Sequence, residues 1–264
     1  MNKRMPMAQA MQTIPDGALL GLGGNTLNRA PMAAVFELAR QHKRGLRLVK
    51  TAGGMDVDLL CFAGCVQTVD AGFISYETEF SLCQHYRKAV QSGQVIAHEH
   101  ACYTVISALR AASYGIPFMP VRGLQVSDLV AANDYFAPVA DPFTGETLNA
   151  VRALRPDVCI VHAHVADEQG NALIEAPKYD DVLLSRAAKT TIVTAERIVS
   201  PEYFAASPVK ADIPHFLVSA VVDAPRGAAP SACHGLYGVN REDLLAFLNL
   251  ADEAALASWL TRRG

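Results

Sequence analysis

Short apolar runs alternate with amphipathic stretches along most of this chain, and that alternation constrains the fold more than any other feature. Ala18–Leu22 is an apolar run of strand length, and the stretch from Pro31 to Gln41 behind it has helical spacing at Met32, Val35, Phe36 and Ala39. Its proline falls in the first turn, where a missing N–H costs nothing. Gly45 ends the helix and Leu46–Val49 returns as a strand. The same reading predicts strands over 68–74, 94–97 and 116–119, and helices over 80–91 and 102–114. Further on it predicts strands over 158–165, 172–175, 190–199 and 216–222, a helix over 181–188, and two closing helices over 240–250 and 252–262. Strands alternating with helices predict an α/β fold, with a mostly parallel sheet covered by helices on both faces. A single domain over residues 1–264 is long enough to bury a proper core. The stretch 123–147 carries Pro138, Pro142 and Gly145 and reads as a long loop or insertion.

Composition excludes several classes. The net charge is −3, without a lysine and arginine cluster, which argues against a nucleic-acid partner. No apolar run approaches the about 18 residues a membrane span requires. The opening MNKRMPMAQAMQTIP has no apolar core and does not read as a secretory signal. Six cysteines (Cys61, Cys65, Cys83, Cys102, Cys159 and Cys233) are scattered among apolar residues. A chain of this size needs no covalent staples, so they read as reduced thiols of a cytoplasmic protein.

The stretch PDGALLGLGGNTLNRAPMAAV, from Pro15 to Val35, ends a strand in two glycines. It is not a dinucleotide fingerprint, because the third glycine of that motif would fall at Thr26, and no phosphate-cradling lysine follows. Two readings stand side by side: Gly23 and Gly24 let a ligand approach the backbone, or they only shape a closely packed turn. His98, His100 and Cys102 would share one face if their strand continued that far, and His162 and His164 repeat the spacing. Zinc needs about four ligands at suitable distances; the reading is that no metal is bound and that these histidines face an interface or the mouth of a cleft. Glu99 is a candidate general base if a neighbouring histidine or burial tunes it. Cys102 opens a helix, whose dipole would favour its thiolate, against the alternative of a small packed cysteine. ADEQGN, from Ala166, reads as a tight turn. GAAPSACHGLYG reads either as a loop offering backbone N–H groups to phosphates or as a plain surface loop.

Asp16, Gly17, Gly23, Gly24 and Pro31 fall in a pattern that resembles the signature of the α-subunit of family I coenzyme A transferases. Gly21, Asn25 and Arg29 depart from the usual apolar residue, phenylalanine and glycine, and an arginine in the last position resembles the glutaconate CoA-transferase branch. RAPMAAVFELARQHKRGLRLV, AGGMDVDLLCFAGCV, ALRAASYGIPFMPVRG, HAHVADEQGN, TIVTAERIV and GAAPSACHGLYG are similar to blocks of that family in the same order, so nearly the whole chain is covered. The resemblance implies CoA transfer between an acyl-CoA and a carboxylate, with the CoA thioester as substrate and neither cofactor nor metal. It implies an active site shared with a β-type subunit in an α2β2 or larger assembly. The nucleophilic glutamate sits in a Ser-Glu-Asn-Gly stretch of the β-type half, which this chain lacks. Gly23, Gly24, Asn25, Arg29 and Tyr103 are then expected to bind substrate or CoA, and Glu99 and Cys102 to contribute to catalysis from a segment spanning Glu99 to Thr104. Registering on Ile116-Pro117-Phe118 puts Cys102-Tyr103 where the succinyl/acetoacetate branch has a Gln-Gly pair and a ring-opening CoA hydrolase branch has an acidic residue; this chain departs from both. Two alternatives stay open: a subunit of a ring-opening CoA-thioester hydrolase, and a non-catalytic module on the same fold that senses an acyl-CoA or a sugar phosphate.

Overall fold

The structure is a computed structural model that describes residues 2–206 and 211–263. Among these residues, eleven strands form two sheets: β1 Leu19–Leu22, β2 Leu46–Gly53, β3 Val66–Ile74, β4 Ile96–Glu99, β5 Phe118–Val121, β6 Phe136–Ala140, β7 Thr147–Arg152, β8 Val158–Asp167, β9 Ala172–Leu173, β10 Thr191–Val199 and β11 Val218–Asp223. The large sheet runs β11-β10-β8-β1-β2-β3-β4, with every neighbouring pair parallel. The short β9 adds to β8 antiparallel. From the central β1 the chain builds outward through β2, β3 and β4, then returns to β8 and builds the other way through β10 and β11. The sheet therefore has its topological switch point between β1 and β8, where open α/β sheets form a crevice beyond the strand ends.

Both faces are covered, and the strand sequences show it. β8 is buried along its whole length. Val158 and Ile160 join the core under the helices Met7–Gln12, Met32–Arg40, Met55–Phe62 and Arg241–Leu248. Cys159, Val161 and Ala163 join the opposite core under the helices Cys102–Ser113 and Asp181–Ala187. Successive residues of a strand point to opposite faces, so a strand inside two cores has to be apolar throughout.

Local differences from the sequence reading have identifiable causes. β2 continues past Val49 to Gly53, because Lys50 and Thr51, polar as they are, find partners inside. The Met55–Phe62 helix carries Asp56 and Asp58 on buried positions, which hides its apolar character. The helix expected over 80–91 is two pieces, Glu77–Phe80 and Gln84–Gln91, separated by Ser81 at φ +69°. The stretch 123–147 holds the helical turn Leu129–Ala132 and the strand β6, and β7 begins at its end. Strands β5, β7 and β6 pair antiparallel as a second, small sheet. Its Val121, Phe136 and Val151 pack into the same core as Val105 and Leu109 of the Cys102–Ser113 helix.

Candidate functional site

The loop after β1 lies at the switch point, and the chain fills that crevice itself. Arg29, at φ +53° and 2% exposed, points inward. Its guanidinium donates to the carbonyls of His162 at 3.1 Å and Pro177 at 2.9 Å and to Asp181 Oδ2 at 2.6 Å. The other carboxylate oxygen of Asp181 accepts the Gly24 N–H at 2.7 Å. Lys50, also buried, donates to the carbonyls of Gly23 and Gly24 and pairs with the buried Asp56 at 3.0 Å. The Gly23 N–H goes to the Ile160 carbonyl at 2.9 Å. The backbone N–H and C=O of both glycines thus have internal partners, and neither glycine can serve as an oxyanion donor. A Cβ on Gly23 would overlap Asp181 Oδ1, and one on Gly24 would come within 2.6 Å of the backbone of Arg29 and Ala30. Within this chain the glycines make room for a buried ion pair, and the Arg29 guanidinium is engaged in holding the loop. Asn25 remains half-exposed at the rim, its N–H on the Asn28 carbonyl at 2.8 Å.

Beyond the filled crevice, a groove of about 260 Å³ lies over β3 and β4, with Gly72, Phe73, His98 and Glu99 among its walls. Thr26, at φ +44°, donates its hydroxyl to Glu77 Oε1 at 2.7 Å, and Glu77 itself has φ +62°. Such left-handed conformations are strained for residues with a side chain and collect at functional sites. The Thr51 hydroxyl donates to Asp180, and the Cys102 thiol lies 3.5 Å from the Thr51 carbonyl. Gly72 brings these parts together, since a Cβ there would stand 2.5 Å from Cys102 Cα. Only glycine lets β3 sit so close to the start of the Cys102–Ser113 helix. The N–H groups of Cys102 and Tyr103, the first two of that helix, have no intrahelical acceptor. Burial pushes the Cys102 thiol up, against the expectation that the helix dipole would yield a thiolate. Tyr103 is 52% exposed beside it, and Glu99 is exposed at the end of β4. Glu99 lines the groove over β3 and β4, and Cys102 abuts its Gly72 wall, with Tyr103 next in the chain. Thr51 and Asp180 reach Cys102 from separate parts of the chain, and no local motif marks them.

The two histidine pairs separate. The strand ends at Glu99, so Cys102 turns away from His98 and His100. Asp70 of β3 takes its place: His98 Nδ1 stands 3.1 Å and His100 Nε2 3.5 Å from Asp70 Oδ1. An isolated acid in the strand sequence VQTVDAGFI was the signal for it. His162 and His164 belong to a different network. Burial keeps His162 neutral, with its ring nitrogens 2.8 Å from the Thr194 hydroxyl and from Glu196 Oε1. Glu196 also receives the Tyr237 hydroxyl and the Arg226 N–H. Burial alone would raise Glu196, but the hydrogen bonds from His162 and Tyr237 bring it below the usual carboxylate range. Among the described residues, His162, Glu196 and Cys233 form the one group with metal-ligand spacing. The His162 nitrogens and the Glu196 carboxylate already have hydrogen-bond partners, so these donors do not form an open coordination set. The GAAPSACHGLYG loop packs on this network and on the loop after β1, with the Ala232 N–H on the Leu27 carbonyl and the Ala228 N–H on Tyr237. Those two N–H groups are not free for phosphates. The ADEQGN turn forms around Asp167, whose Oδ1 accepts the N–H groups of Gln169, Gly170 and Asn171.

Comparison with known proteins gives this architecture a context. A sequence model described as Coenzyme A transferase matches residues 4–224. One of the subunits of the glutaconate CoA-transferase of Acidaminococcus fermentans is 35% identical over 90% of this chain and 79% of its own length. In the crystal structure of that enzyme the matching chain superposes with a TM-score of 0.91, covering 98% of this chain and 88% of that one at 32% identity. The cholesterol ring-cleaving hydrolase IpdA subunit of Rhodococcus jostii is 33% identical over 90% of this chain and 83% of its own. An uncharacterized protein of Archaeoglobus fulgidus is 34% identical over 94% of this chain, which spans only 56% of that protein's length. No helix among the described residues is long and apolar enough to cross a membrane. A parallel sheet with a filled switch-point crevice, its superposition on a CoA-transferase chain, and a family match over most of the length agree with one another: the chain belongs to the coenzyme A transferase family.

Proposed function

We propose that this chain is the α-type subunit of a CoA-transferase that moves CoA between an acyl-CoA and a carboxylate, in a cleft completed by a β-type subunit carrying the nucleophilic glutamate. The observation that carries this reading is the groove over β3 and β4 whose Gly72 wall abuts the start of the Cys102–Ser113 helix, in a family member without a Ser-Glu-Asn-Gly stretch of its own. Attack of a carboxylate on a thioester creates an oxyanion, and fixed N–H donors at a helix start suit its stabilisation. In this reading the N–H groups of Cys102 and Tyr103 are those donors. The exposed Tyr103 ring and Asn25 contact the bound thioester, and Glu99 lines the groove. The Cys102 side chain stays a thiol and takes no nucleophilic part, in keeping with its raised pKa. The CoA thioester is the substrate, and the chemistry calls for no resident cofactor. The assembly is α2β2 or larger, and six free cysteines, five of them buried, suit the cytoplasm.

Copurification of the tagged chain with a second subunit of similar size, followed by CoA transfer from acetyl-CoA to glutaconate, tests the reading. The complex should turn over at about 1–10³ per second, as enzymes commonly do, and the isolated chain should not. Full rates from the isolated chain would overturn the division of labour between subunits.

A further inference from the structure

We propose that His98, oriented by the buried carboxylate of Asp70, is a general base at this groove and gives the enzyme a thioester-hydrolysing activity beside CoA transfer. Asp70 and His98 are direct partners in the β3–β4 register. Asp70 is 1% exposed, while the His98 side chain is 26% exposed and turns its Nδ1 edge to Asp70 at 3.1 Å. His98 itself lines a groove of about 260 Å³ whose other walls include Gly72, Phe73, Glu99, His100 and Leu129. A carboxylate that fixes an imidazole while the imidazole meets a groove is the arrangement by which proteins prepare a proton acceptor.

A second observation points to the same place. His100 is 5% exposed, with Nδ1 at 3.3 Å from the Thr104 hydroxyl. Its Nε2 is buried without a hydrogen-bond partner, 3.5 Å from Asp70 Oδ1. Buried polar atoms seldom stay unpaired without a role. The small sheet closes the cluster from the other side. The Tyr135 ring lies 5.3 Å from His98 and 5.2 Å from His100, under the Arg152 guanidinium at 4.4 Å. Burial and then the Asp70 charge push the Tyr135 phenol up to about 12, so it stays protonated. The charged and titratable groups around His98 are therefore Asp70, His100, Tyr135, Arg152, the adjacent Glu99 and, across the groove, Tyr86.

Transfer between carboxylates gives such a base nothing to do. The attacking carboxylate is already ionised, and CoA leaves and returns as a thiolate. A base is needed when water is the acceptor. Water oxygen attacks the thioester carbonyl carbon while His98 Nε2 takes a water proton. The C–S bond then breaks, the sulfur receives that proton from His98, and free CoA thiol and a carboxylic acid result. The inference rests on the reading that the groove beside Glu99–Thr104 holds a CoA thioester.

The test uses the full chain with its β-type subunit, with acetyl-CoA or glutaconyl-CoA in ¹⁸O-water, with and without added carboxylate. Without an acceptor, the wild-type complex should release free CoA and an acid carrying solvent ¹⁸O. His98→Gln should lower hydrolysis by about 10²-fold or more and the hydrolysis-to-transfer ratio at least tenfold. Asp70→Asn, a positioning change, should lower the kcat of hydrolysis and leave KM near its wild-type value. Melting of the half-exposed His98→Gln variant guards against a folding artefact. An unchanged ratio in His98→Gln overturns the proposal. A wild-type complex that transfers CoA but releases no acid without acceptor overturns it too, and leaves the transferase reading standing. A complex that turns over neither thioester overturns both.

Discussion

The Arg29–Asp181 pair offers the sharpest test of why the loop after β1 has its sequence. Both side chains are almost wholly buried, 2.6 Å apart. The carboxylate also holds the Gly24 N–H. Replacing Asp181 with Asn keeps the shape and removes the charge, leaving a guanidinium in the interior with neutral partners only. Breaking a buried pair from one side costs about 3–5 kcal/mol, because the remaining charge is uncompensated. At about 2–4 °C per kcal/mol for large domains, the melting temperature should fall by roughly 6–20 °C. Arg29→Met should cost a similar amount, since burial already raises the Asp181 carboxyl and only Arg29 opposes it strongly. The double variant Arg29→Met with Asp181→Asn should recover a large part of the loss, which marks direct coupling in a double-mutant cycle. Urea titrations and thermal melts of the four proteins measure all of this. If Arg29→Met melts within about 1 °C of wild type while KM for acyl-CoA rises tenfold, the reasoning fails, and Arg29 belongs to the binding site as the sequence alone suggested.

The remaining expectations are simpler. Gly24→Ala, at φ +75° and against the backbone of Arg29 and Ala30, should lose stability and activity together; lost turnover at an unchanged melting temperature would count against it. Gly72→Ala pushes the Cys102–Ser113 helix start off β3 and should cost at least tenfold in kcat, whereas Cys102→Ser should cost less than tenfold; steady-state kinetics of both variants decides, and the reverse ranking would give the thiol a chemical role. Asp58, which accepts from the Tyr76 hydroxyl and the Tyr86 N–H, is raised by burial from 3.8 to about 6. The folded state then holds a proton that the unfolded chain releases, so stability should drop by about 3 kcal/mol as pH rises from about 4 to about 7. Asp58→Asn should flatten that slope in urea titrations at pH 5 and 7.5.

Sequence and tertiary structure divided the work along a physical line. The order of strands and helices, the parallel sheet and its two covered faces follow from local periodicity, because a strand or helix must bury whichever side its own residues make apolar. The family likeness was legible too, and with it the absence of a Ser-Glu-Asn-Gly nucleophile. The strands β6 and β7 were not, since exposed prolines and a half-buried small sheet leave no periodic signal. Nor was the meaning of the glycines. Gly23 and Gly24 invite a ligand when read along the chain, but Asp181, 157 residues from Gly24, takes the space. Lys50 could not be foreseen as the loop's anchor, nor Asp70 as the partner of His98. Such assignments depend on which side chains the folded chain brings within about 3 Å of one another, and distance in space is the one quantity that residue spacing does not encode.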